Sequence, residues 1–372
     1  MTSMRRSKVN WFLPSWKVLF LFLGLLSFHP ASALTFNVTY DTSVTSLTNA
    51  AQVEAAFAVA TQTFQSLYTN KMTVNLTVYF SSSVGLGESS YPLVGNPSYT
   101  QLTNALRAAR TTAADSNSVA SLPAFNPIGS SVWWIPRAEA KALTALSPPY
   151  NVSPTNPATD GSVSFASTVS YAFDATNRSV AGKFDFIGVA EHEISEVLGR
   201  SFLLNYSLSG YEPNDLFRFT NSGARSLNVN DANVYFSADN GVTAIKFYYG
   251  DVNSGDVQDW ETYAPADAFD AYLSRGDEAT LSAADLTALD VLGYNLNFTP
   301  PQLTCTRLGN GNFQLNFTNV TGLNFSILGS SNPTQPASNW SVLGTPTEIS
   351  TGQYQFTDTS ANVVRYYRVR LN

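Results

Sequence analysis

Apolar and polar residues alternate strictly through "KMTVNLTVYF" (71–80), placing Met72, Val74, Leu76, Val78 and Phe80 on one side of a predicted strand. "LTFNVTY" (34–40) reads as an earlier strand. Between them, over 46–70, the period changes to that of a helix, with Val53, Phe57, Ala60, Phe64 and Leu67 on one face. The pattern then predicts a helix near 98–114, a strand at 131–135, and a short helix over 136–146 opened by Pro136. It adds a strand at 162–167 and a helix over 184–199. In that helix Phe186, Val189, Ala190, Ile194 and Val197 are available for packing, and Gly199 can take the positive φ that ends it. Residues 205–265 mix strand and loop. A last helix spans 282–295, with Ser282 as cap and Leu286, Leu289 and Leu292 as its buried stripe. In a strand, only one of the adjacent Trp133 and Trp134 can face the core; the other is free to line a cleft or an interface.

The helical period disappears after "NFTPPQLT" (297–304), where the double proline marks a linker. Beyond it, short alternating segments separated by Gly, Asn and Pro predict a small β-sandwich over 304–372, similar to fibronectin type III-like modules in its closing Tyr-x-Val-Arg strand. The expected order is an export segment over 1–33, a main domain over 34–297, a linker over 298–303 and the β module. The export reading rests on Arg5, Arg6, Lys8 and Lys17, the apolar run "VLFLFLGLLSF" and the small-residue site "ASA" (31–33). It implies a secreted, extracellular or periplasmic protein with no membrane span in the mature chain.

Composition narrows the function. The formal charge is −7, and the first 33 residues hold four of the basic residues and no acid, so the mature chain is more acidic still. That argues against a nucleic-acid partner, which needs clustered Lys and Arg. Cys305 is the single cysteine, so no internal disulfide forms. His29 departs with the export segment and leaves His192 as the one imidazole of the mature chain.

His192 opens "HEISE" within "FDFIGVAEHEISEVLG". Residues four apart share a helix face, so His192 and Glu196 can meet one metal ion, with Glu193 beside it as general base on a bound water. Gly199 follows Glu196 by three residues, and "LSAADLTALDVLGY" closes the domain. In these motifs the chain resembles secreted bacterial metzincin-like, or matrixin-like, zinc metalloproteases, in a branch with His-Glu-Ile-Ser-Glu in place of His-Glu-x-x-His. The resemblance covers most of 34–297. It implies an α+β metallopeptidase domain, a mixed sheet with an active-site helix, ahead of the β module. It also implies Glu193 as catalytic base and His192 and Glu196 as metal ligands. The chain departs from the family in three places: Glu196 replaces histidine, Phe202 stands where a third histidine is expected, and no methionine follows Met72.

A third ligand must therefore come from elsewhere. "GYEPNDLFRF" offers Asp215, favoured because the apolar Leu216 and Phe217 would anchor it, with Glu212 as runner-up. One imidazole and two carboxylates make a hard site, so zinc has calcium and manganese as competitors. Separately, Asp251, Asp256, Asp259, Asp267 and Asp270 in two acidic loops are of the type that binds calcium, or simply solvated. The expected activity is metal-dependent hydrolysis of an extracellular protein or peptide, laid along an edge strand such as "SVSFAS". The C-terminal module is open to cell-surface or polysaccharide contact. The competing reading is a non-catalytic relative serving as an extracellular binding or scaffold protein. There Glu196 would only pair with Arg200 at i,i+4, worth about 0.3–0.5 kcal/mol if exposed.

Overall fold

Two of the predicted strands, joined by the predicted helix, build the frame. β1 (Leu34–Tyr40) and β2 (Met72–Ser81) run parallel, Leu34 opposite Met72, and a parallel pair requires a crossover. That crossover is α1 (Ala50–Leu67), whose Val53, Phe57, Ala60, Phe64 and Leu67 are buried as the period foretold. β3 (Gly87–Ser90) and β4 (Gly161–Ala166) complete a four-stranded sheet in the order β1-β2-β4-β3. β4 is parallel to β2, and β3 is antiparallel to β4 with Gly87 opposite Phe165. The computed structural model describes residues 34–204, 210–251, 256–262, 264–320, 323–350, 352–359 and 365–372. The expected export segment, 1–33, lies outside them. Among the described residues no helix is long and apolar enough to cross a membrane.

α2 (Phe186–Val197) carries the His-Glu motif. Asp185 caps it, its Oδ1 accepting from the Ile187 N–H at 3.2 Å, and Gly199 leaves it at φ +116°. α2 packs on α1 and on the sheet through an aromatic core: the Phe165 and Phe186 ring centroids lie 4.6 Å apart, and Phe57 meets Phe165 at 6.2 Å. In β2, Asn75 breaks the alternation by being buried as well. Its N–H donates to Asp160 Oδ2 at 2.8 Å, and that carboxylate is paired with buried Lys141 at 2.5 Å.

Three predicted boundaries moved for local reasons. The helix expected near 98–114 is two helices, Tyr99–Ala109 and Ala113–Ala120. Thr112 and Asp115 form a second capping box that restarts the chain. The helix expected over 136–146 stops at Ala142. α3 (Ala283–Val291) is shorter than expected because Gly293, at φ +100°, turns the chain away. Trp133 is the buried member of its pair, stacked on Tyr99 at 5.9 Å and meeting the tilted Tyr211 ring at 6.1 Å. Trp134 lies across Gly95 and Gly210, where no side chain larger than hydrogen fits.

After residue 303 the chain forms antiparallel sheets of four and three strands. Phe317, Phe325 and Tyr354 interlock between them at 5.0–5.2 Å. The Ala283 N–H donates to the Asn372 carbonyl at 2.8 Å, and Leu281 bridges to Leu323, so Ser32–Asn372 form one compact unit. The described part of the molecule is a mixed α+β structure.

Candidate functional site

α2 presents Val189, His192, Glu193 and Glu196 to a cleft of about 370 Å³ between β3 and the loops that carry Asp259 and Asp267. His192 Nε2 lies 3.5 Å from Glu196 Oε1 and 3.3 Å from Asp259 Oδ1. Among the described residues, His192, Glu196 and Asp259 are the single group of three whose ligand atoms lie within 4.8 Å of one another. The His192 Nδ1–H donates to the Ala268 carbonyl at 2.9 Å. A carbonyl can only accept, so this bond fixes the tautomer and leaves Nε2 facing the carboxylates.

The spacing suits a transition-metal ion. Tetrahedral zinc with bonds of about 2.0–2.1 Å needs ligand atoms roughly 3.3 Å apart, which is the spacing around Nε2. An imidazole in the set favours zinc over calcium, which takes six to eight oxygens. The same distances also suit a protonated imidazole between two carboxylates. Burial pushes the His192 pKa down, but the charge of Asp259 and the hydrogen bonds the ring donates to Asp259 and Glu196 outweigh it and hold the ring well above its ordinary value. Glu196 is disfavoured as an anion by burial, yet His192, Arg200 and Gln258 bring it down to about 2. Ser89 Oγ–H donates to its Oε2 at 2.7 Å, and the Gln258 amide donates to its Oε1 at 3.0 Å.

Glu193 points to the lip of the cleft beneath β3. Burial, and then the charge of Glu196, raise its pKa well above the carboxylate range. Its carboxylate occupies the space above the Gly87 α-carbon: a Cβ there would stand 2.1 Å from Glu193 Oε1. The glycine in "VGLGESS" is thus part of the site, and nothing in the sequence pattern marked it.

Asp215, the favoured third ligand, is not in this group. It is wholly buried at the start of a short 3₁₀ helix, where its Oδ2 accepts from the Glu212 N–H at 2.8 Å and the Leu204 N–H at 3.2 Å. The apolar Leu216 and Phe217 do anchor it, but into a cap. Glu212 is also buried elsewhere, accepting from Ser201 Oγ–H at 2.6 Å. Asp259 stands beside His192 and Glu196 instead, anchored by the Trp260 that follows it. The Trp260 ring is fully buried and its Nε1–H donates to Asp285 at 2.6 Å. Asp267 and Asp270 pair with Lys246. "SVSFAS" is not an edge: β4 is flanked by β2 and β3, and among the described residues the outer edge of the sheet bordering the cleft belongs to β3.

Glu212 gives a pH-dependent expectation. Burial pushes its pKa up to about 8, against the hydrogen bond from Ser201. The folded chain then keeps a proton that the unfolded chain loses near 4.5, so stability falls as pH rises between these values. At about 1.4 kcal/mol per pH unit, the loss is on the order of a few kcal/mol. Glu212→Gln is expected to raise the melting midpoint by a few degrees at pH 9 and to change little at pH 4, read by circular dichroism. An equal shift at both pH values would contradict it.

No protein family, curated protein or solved structure matches this chain.

Proposed function

We propose that the protein is a secreted, metal-dependent peptidase with a metzincin-like domain and a C-terminal fibronectin type III-like β-sandwich. The observation that carries the reading is the convergence of His192 Nε2, Glu196 and Asp259 at metal-ligand spacing, with Glu193 beside them on the same helix. Zinc is the proposed ion, with manganese or calcium as the competitors to be excluded by metal analysis. When bound, it supplies a polarised water of lowered pKa.

The chain's own residues do the rest. An extended peptide adds to the free edge of β3 and lies over the cleft. Glu193, buried and unpartnered among the described residues, takes the proton from the attacking water and delivers it to the departing amine. Its raised pKa suits both halves of that transfer. Ser89 and Gln258 hold Glu196 in its ligating direction. The β-sandwich serves for contact with a cell surface or polysaccharide.

A second reading has its own support. Buried Arg200 already pairs with Asp259 at 2.7 Å, so His192, Arg200, Glu196 and Asp259 balance in charge without any metal. In that reading the protein is an extracellular binding or scaffold protein. Elemental analysis of the purified mature chain separates the two, together with hydrolysis of an unstructured protein such as casein. One equivalent of zinc, and hydrolysis stopped by chelation, are expected; a metal-free, inactive chain whose melting ignores added zinc would establish the second reading.

A further inference from the structure

The weakest-supported ligand by local structure is Asp259. It lies on a turn outside any helix or strand, whereas His192 and Glu196 ride on α2. A ligand on such a segment holds its direction only if something else holds it. Arg200, one turn beyond Glu196, is in reach to do this and is completely buried.

Its guanidinium is held through Nε and Nη1. Nη1 donates to Asp259 Oδ1 at 2.7 Å and to the Gln258 carbonyl at 3.2 Å. Nε donates to Ser195 Oγ at 2.7 Å, and Ser195 Oγ–H donates in turn to the His192 carbonyl at 2.6 Å. The flat face lies 4.4 Å from the Phe269 ring centroid, next to the Ala268 whose carbonyl orients His192. Nη2 stands 3.5 Å from Glu196 Oε1. One side chain thus ties the turn bearing Asp259 to the helical turn bearing the other two ligands. The i,i+4 relation to Glu196 visible in the sequence is the longest of its polar contacts, and Arg200 is wholly buried.

We propose that Arg200 is a positioning residue for the metal site: it sets Asp259 in its ligating place, and metal affinity depends on it even though its own charge opposes a cation. This rests on the metal-dependent reading above. The two effects of Arg200 have opposite signs, which makes the direction of change decisive. Placement predicts weaker binding when the residue is removed, and charge alone predicts tighter binding.

The test is a zinc titration of the full mature protein against a chromophoric chelator, for wild type, Arg200→Met, Asp259→Asn and the double variant. Arg200→Met is expected to weaken zinc binding about 10–100-fold, the usual cost of losing a ligand's supporting partner. In the Asp259→Asn background it should cost almost nothing more, because its target is gone. Unchanged or tighter binding by Arg200→Met overturns the proposal, as does a double variant showing the full product of the two losses. If Arg200→Met fails to fold in the metal-free state, Arg200→Lys decides. It keeps the charge but cannot reach Ser195 and Asp259 together, and about 10-fold weaker binding is expected; wild-type affinity overturns the proposal. A wild-type chain that binds no zinc removes the metal-dependent reading itself, an outcome distinct from wild-type binding that Arg200 does not affect.

Discussion

Glu193→Gln is expected to lower kcat/KM for protein hydrolysis by about 10²–10⁴-fold, the range a general base contributes, while zinc content stays at the wild-type level. The side chain keeps its size and loses the capacity to take a proton. It is not among the three residues whose ligand atoms converge, so metal has no reason to leave. Gly87→Ala tests the same group from the other side. The new methyl would stand 2.1 Å from Glu193 Oε1 and 2.9 Å from Val189 Cγ1, so the carboxylate must move. Displacing a reacting group by about 1 Å costs on the order of 10²-fold, again with metal retained. Rates measured beside elemental analysis check both. A Glu193→Gln protein that hydrolyses at the wild-type rate would remove Glu193 from the mechanism; one that has lost its metal would make it a ligand.

The second large effect separates Asp259 from Asp215. Asp259→Ala is expected to abolish stoichiometric zinc and with it the activity, since two ligands on one helix do not close a site. It also leaves Arg200 buried without its nearest anion, so the variant should melt lower as well. Asp215→Ala is expected to keep zinc. It strips the acceptor from the Leu204 and Glu212 N–H groups and lowers stability by about 1–3 kcal/mol. Zinc content with urea denaturation distinguishes the two. Metal lost from Asp215→Ala and kept by Asp259→Ala would reverse the ligand assignment.

The contrast between these aspartates shows where sequence reading ran out. Both precede buried apolar residues, Leu216 and Phe217 in one case and Trp260 in the other, and the anchoring argument applied to Asp215 fits Asp259 as well. An anchor says that an aspartate is held; it does not say what the carboxylate faces. That depends on how a loop some sixty residues beyond the helix folds back over it, which no local spacing encodes. Gly87 escaped notice for the same reason: its role is the absence of a side chain opposite Glu193, visible only once β3 lies beside α2.

What the sequence determined by itself is what local periodicity and covalent identity control. The alternation in 71–80, the helical face within 46–70 and the placing of His192, Glu193 and Glu196 on one helix surface all follow from spacing along a single element. The tertiary structure decided what depends on residues far apart in the chain. It made β3 rather than β4 the open edge, because an antiparallel strand between the parallel pair and the cleft covers β4. It buried Arg200, turning an apparent surface ion pair into a tether between two segments. It brought Asp259 rather than Asp215 beside His192 and Glu196, because a carboxylate takes whichever donors packing brings to it, and for Asp215 those were its own neighbouring backbone N–H groups.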